Sequence, residues 1–102
     1  MKAICITMMV AAGVMMAAQA QAADESALAK QKNCFSCHQV DKKVVGPAYR
    51  EVAARYKTAD IPRLVEKIKK GGSGVWGPVP MAPNNVTDDE AKRLVTWILS
   101  QK

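Results

Sequence analysis

Cys34 and Cys37 stand three positions apart, with His38 directly after the second, in the stretch NCFSCH. Thiols at this spacing serve several chemistries. A redox dithiol is expected beside a strand–helix–strand pattern, and no alternating stretch of this chain argues for a strand. A structural zinc site wants four protein ligands, whereas this chain offers three strong candidates, two of them three residues apart. A bare disulfide between Cys34 and Cys37 would close a very small loop and stabilise little. Covalent haem attachment uses every residue of the motif: both thiols form thioethers to the porphyrin vinyl groups, and His38 reaches the iron.

The N-terminus bears on compartment and on the second iron ligand. Lys2 precedes an uncharged apolar run from Ala3 to Ala18, and Gln19, Ala20, Gln21 and Ala22 form a small-x-small exit. Residues 1–22 therefore read as a cleaved secretory signal. The run of about 16 apolar or small residues is shorter than the roughly 20 that span a bilayer. Cys5 lies before the apolar segment instead of at its exit, which argues against a lipoprotein signal. Residues 23–102 are expected to form one domain, and a chain so small commonly needs a metal, disulfide or cofactor as a staple. Cleavage would leave Cys34 and Cys37 as the only cysteines, His38 as the only histidine and Met81 as the only methionine. Met81 is then the one soft ligand available opposite His38. Pro80 and Pro83 flank it, and their rigidity lowers the entropy lost in holding a weak thioether bond. Met/His ligation raises the reduction potential, suits electron transfer and closes the iron to substrate.

The elements around these residues read as short amphipathic helices. Asp24, Glu25 and Ser26 lead a first helix ending near Lys32, with acids at its positive end and bases at its negative end. Pro47 is placed to open a second through about residue 57, with Ala48, Val52, Ala53 and Tyr56 on one side. Pro62 starts a third, in which Leu64, Val65 and Ile68 face inward until Gly71 and Gly72 stop it. Residues 71–83 hold four glycines and three prolines, so they form a loop in which Val75, Trp76, Val79 and Met81 are expected to be buried. Thr87 to Glu90 fits a capping box for a last helix with Ala91, Leu94, Val95, Ile98 and Leu99 on the helical period.

The segments CFSCH, VVGPAYREVAARY, KIKKGGSGVWGPVPMAPNNVTDDEA and LVTWILSQK resemble, in that order, the small bacterial class I cytochromes c of the periplasm. The resemblance implies an all-α cytochrome c fold, with four to five short helices wrapped around one covalently bound haem c. It implies thioethers at Cys34 and Cys37, His38 as proximal and Met81 as distal axial ligand. It further implies a bond from His38 to the Pro47 carbonyl, donation from the Trp76 indole to a haem propionate, and donation from Asn84 to the Met81 sulfur. Where some relatives place an arginine near the inner propionate this chain has Lys67, a point donor without the bidentate fork. Residues 57–61 also look shorter than in some relatives.

The functional expectation is a monomeric periplasmic carrier of single electrons, not an enzyme, working between redox proteins such as respiratory donors and a nitrite reductase or terminal oxidase. The chain carries 15 basic and 9 acidic residues, and loss of Lys2 leaves a formal +5. Lys30, Lys32, Lys42 and Lys43, close in sequence to the thioethers, are expected to orient acidic partners. Nucleic acid is not an expected partner, since the compartment is wrong and the lysines are scattered, and no membrane insertion is expected after cleavage. The alternative function is a peroxidase-like or gas-binding haem c protein with a labile Met81, although no distal acid–base group is available for it. A different class again is a haem-free module that uses the cysteines for metal.

Overall fold

Four short helices carry the regular structure of residues 23–102, the part that the computed structural model describes: α1 (Ser26–Gln31), α2 (Tyr49–Arg55), α3 (Ile61–Lys70) and α4 (Asp88–Leu99). The expected signal, residues 1–22, lies outside the described residues. Single 3₁₀ turns form at Cys34–Ser36 and Thr58–Asp60. The pairings seen outside helices are two isolated bridges, His38 with Lys43 and Gly72 with Met81.

The sequence around Thr87 shows why α4 starts where it does. The Thr87 hydroxyl accepts the Glu90 N–H at 3.1 Å, and the Glu90 carboxylate accepts the Thr87 N–H at 2.9 Å. Two donors that the first turn cannot satisfy internally are thus paired. The apolar stripe of α4 then packs against α1, α2 and α3. Leu94 and Val95 are its most enclosed large side chains. Trp97, which the helical period alone did not single out, is also buried; its ring meets Tyr49 edge-on at 5.6 Å and Phe35 at 6.3 Å.

Two charged ties fasten α1 to α4. Arg93 donates to both carboxylate oxygens of the nearly buried Glu25, at 3.1 and 2.9 Å. Such a forked pair has the geometry that an isolated surface pair lacks. Lys32 reaches Glu90 at 3.5 Å and the Asn85 carbonyl at 3.4 Å. Lys32 is therefore engaged within the fold, a correction to its expected place among free steering lysines, while Lys30, Lys42 and Lys43 are exposed.

α2 begins two residues later than the position of Pro47 predicts. Ala48 is the residue before the helix and is extended, because the first helical N–H groups are used elsewhere: Tyr49 donates to the Gln39 carbonyl at 2.9 Å and Arg50 to that of Val40 at 3.0 Å. Residues 39–40 thereby supply partners for donors that the first turn lacks. α3 starts at Ile61 with Pro62 in its first turn, where the missing N–H costs nothing.

Replacing Thr87 by Ala should lower holoprotein stability by about 1 kcal/mol, read as a lower denaturant midpoint at unchanged slope. The Thr87 N–H holds the Glu90 carboxyl below its ordinary value. The stability contributed by Glu90 is therefore present above the unfolded-state value and is lost as pH falls through the folded one. The gap between wild type and Glu90→Ala should accordingly narrow in acid.

Candidate haem-binding site

The histidine side of the site is built by a short, heavily bonded loop. Asn33 takes a left-handed conformation (φ 61°), which asparagine tolerates better than most residues, and turns the chain from α1 into the Cys34–Ser36 turn. The Cys37 and His38 N–H groups both donate to the Cys34 carbonyl, at 3.2 and 3.0 Å. The Cys37 carbonyl accepts from Val45 and Gly46, at 3.2 and 2.7 Å. This brings the chain back over the imidazole. A carbonyl only accepts, so the 2.8 Å contact between His38 Nδ1 and the Pro47 oxygen requires the proton on Nδ1 and leaves the lone pair on Nε2. The ring stacks on Tyr49 at 5.0 Å and 22°. A Cβ on Gly46 would fall within 2.9 Å of Nδ1 and closer still to Cε1.

The methionine side is a loop with different construction. Gly72 and Met81 exchange N–H groups and carbonyls at 3.0 and 2.8 Å, closing residues 72–81 at the base. Gly71, at φ 72°, lies so close to the Met81 carbonyl that a Cβ would collide with it, which makes glycine a requirement there. Asn84 grips the end of α3: its backbone N–H and its side-chain amide both donate to the Ile68 carbonyl, at 3.0 and 3.2 Å. The amide also donates to the Ala82 carbonyl at 3.2 Å. Carbonyls in a last helical turn lack internal partners, and Asn84 supplies them.

Cys34, Cys37, His38 and Met81 all line one cavity of about 690 Å³, inside the ~300–1,000 Å³ typical of cofactor pockets. Much of the remaining wall is apolar, from Val52, Leu64, Ile68, Val75, Val95 and Ile98 among others. The donor set suits a covalently held haem: two thiols at attachment spacing, an imidazole presenting a free nitrogen, and a thioether, around an apolar slot. The other readings of the cysteines fare worse. Burial pushes the Cys34 thiol up, the Tyr49 hydroxyl offsetting part of the effect, whereas a redox dithiol needs a lowered one. Burial, with Cys34 alongside, likewise raises Tyr49. Among the described residues no three His, Cys, Asp or Glu side chains converge as a metal-holding group.

Residues 22–102 match the Cytochrome c family. This chain belongs to that family. It is 46% identical to cytochrome c-551 of Pseudomonas aeruginosa over 104 aligned positions that cover all of both chains. It is 60% identical to cytochrome c-552 of Hydrogenobacter thermophilus over 77 residues, 74% of this chain and 79% of that one. The crystal structure of wild-type Nitrosomonas europaea cytochrome c552 superposes with a TM-score of 0.71 at 54% identity, covering 74% of this chain and 98% of that one. The cytochrome c fold expected from the sequence is thus present. With it comes the family's covalently attached haem c, and the chain is an electron-transfer haem protein, not an enzyme.

Several residues of this cytochrome c sit otherwise than the sequence led us to expect. The Asn84 amide nitrogen lies 3.2 Å from both the Ile68 and the Ala82 carbonyl, so Asn84 also fastens the loop to α3. Val75, Trp76 and Val79 line the wall of the cavity and stand outside the helical core. Trp76 lies at that wall, as does Lys67, whose ammonium comes near Gly72. Arg55, Tyr56 and Arg63 line it too; only their spacing at the ends of α2 and α3 could have pointed to them.

Gly46→Ala should displace the His38 ring, since any Cβ there meets it. The expected cost is about 1–3 kcal/mol in denaturant unfolding of the holoprotein, with an altered ferric spectrum that a remote substitution of equal cost would not produce.

Proposed function

We propose that this cytochrome c is a periplasmic one-electron carrier, exported by cleavage of residues 1–22 and folded over residues 23–102 around a haem with His/Met axial ligation. The observation that carries this reading is the gathering of both thiols, the His38 imidazole and the Met81 thioether on the wall of a single apolar cavity. Cys34 and Cys37 would hold the macrocycle as thioethers, and His38 Nε2 and the Met81 sulfur would bind its iron. Bound haem supplies a one-electron couple, set toward high potential by Met/His ligation.

The residues of the chain hold that site still. The Pro47 carbonyl fixes the His38 tautomer and ring plane and raises its basicity as a ligand. The Gly72 pairing fixes the backbone of Met81. The apolar wall excludes water, and Trp76 offers its indole N–H to a propionate. Residues anchored on both sides of the cavity would shift little when charge arrives, which is what a carrier needs. Residues 22–102 match the family, in keeping with a domain that begins at the expected cleavage site. Among the described residues no helix is long and apolar enough to cross a membrane.

The partners in this reading are redox proteins, electron donors on one side and a nitrite reductase or terminal oxidase on the other, met by a monomer. Lys30, Lys42 and Lys43 are exposed near the cysteines and form no ion pair among the described residues. They favour encounter with acidic faces. Reduction by such a partner should slow as ionic strength rises, since screening shortens to about 8 Å at physiological salt; a flat rate would remove the steering role.

The ligation is tested on the ferric holoprotein. A six-coordinate low-spin Met/His spectrum is expected. Met81→Ala should retain the covalent haem through denaturing electrophoresis, open the iron and lower the potential. A high-spin wild type that binds carbon monoxide readily would favour the gas-binding alternative.

A further inference from the structure

Arg55, the last residue of α2, has no task in the ligation described above, yet it touches the loop that carries Met81. Its guanidinium lies 4.8 Å from the Trp76 ring centre and 5.8 Å from that of Tyr56, both within the ~6 Å reach of a cation–π contact. It also donates to the Val75 carbonyl at 3.5 Å, a long bond. Tyr56 meets Trp76 edge-on at 6.4 Å. Among the described residues Arg55 has no carboxylate partner, whereas Arg63, its guanidinium 5.7 Å from the Tyr56 ring centre, is paired with Asp60 at 2.7 Å.

The loop has reason to need such a contact. Its base is closed by the Gly72–Met81 exchange and by Asn84 on Ile68. At its tip the backbone bond is internal, from the Gly74 N–H to the Gly77 carbonyl at 2.8 Å. Gly74 and Gly77 have φ values of 106° and 122°, and such glycines have the most conformational freedom to regain on opening. The apolar side chains between and just beyond them, Val75, Trp76 and Val79, line the cavity and do not pack into the helical core.

We propose that Arg55 is a positioning residue: with Tyr56 it latches the tip of the loop to α2 and so keeps Met81 over the cavity. The inference rests on Met81 being an axial ligand. Release of the latch leaves the base of the loop and the helical core intact. The consequence is more frequent excursions of the loop, which draw the thioether away and admit small ligands. A planar guanidinium stacks on the indole and donates to the Val75 carbonyl together; lysine offers a point charge only, and glutamine offers no charge.

The test mixes ferric holoprotein with excess cyanide and follows loss of the low-spin Met/His spectrum, for wild type, Arg55→Lys, Arg55→Gln, Trp76→Leu and the double variant Arg55→Gln/Trp76→Leu. Arg55→Gln should take up cyanide about threefold faster than wild type, the factor expected of one exposed cation–π contact, with Arg55→Lys between them. The double variant should be little faster than Trp76→Leu alone, because the two substitutions remove one shared contact. Arg93→Ala, which removes the tie from α4 to Glu25 and does not line the cavity, serves as the control. Equal rates for wild type and Arg55→Gln overturn the latch, as does an equal acceleration by Arg93→Ala. A wild-type spectrum that lacks the Met/His signature and is unaltered by Met81→Ala overturns instead the ligation reading beneath it.

Discussion

The hydrogen bond from His38 to the Pro47 carbonyl, 2.8 Å long, is the contact on which the arrangement of the site depends. It selects the tautomer, aims Nε2 and fixes the ring plane in one step. It also requires residues 38–47 to double back, and the rest of that loop is organised to make them do so. The Cys37 carbonyl receives Val45 and Gly46, the carbonyls of Gln39 and Val40 receive the first amides of α2, and Gly46 leaves room for the ring. Tyr49 then carries the ring's position inward to Trp97 and so to the core. A change at any of these places is felt at the imidazole, because close-packed groups in such a chain have few alternative arrangements.

The loop opposite achieves order by another route. Residues 71–83 contain few side chains that pack into the core, so restricted dihedrals take over. Prolines limit φ where the chain must run extended, and glycines with positive φ occupy the corners that other residues would strain. The base is fixed by main-chain bonds at Gly72 and by Asn84, which uses an α3 carbonyl that would otherwise lack a partner. The same helix end thereby stops at glycine and anchors the methionine. This economy suits a chain with so small a helical core.

Legibility in the sequence followed the range of the interaction. α4 and its capping box were readable because the Thr87–Glu90 pairing is local and the apolar period that follows is long. The C-x-x-C-H motif was readable because thiol spacing is itself the chemistry. The start of α2 was misread by two residues: a proline marks where a helix is allowed to begin, while Tyr49 and Arg50 find acceptors ten residues back, which no local rule reveals. The Asn84 contacts to α3 were hidden for a related reason: its residue type announces a hydrogen bond, but the Ile68 carbonyl is brought to it only by tertiary placement. Val75, Trp76 and Val79 were expected to be buried on composition alone, which does not distinguish a core from the wall of a cavity. The engagement of Lys32 within the fold was hidden because Glu90, its partner, lies 58 positions away.

The two sides of the cavity are therefore unequal in how they are held. His38 is fixed by a side-chain hydrogen bond, a stacked ring and a backbone that bonds to itself at several points. Met81 is fixed at its backbone, while the tip of its loop meets the helices through aromatic and cationic groups. Local opening draws on segments with few buried contacts and exposed hydrogen bonds, and the tip of the methionine loop has only its internal Gly74–Gly77 bond and the contacts to Arg55 and Tyr56 to hold it. Variation in how tightly the site is closed should then arise among residues that touch residues 74–77, with the histidine side as the constant.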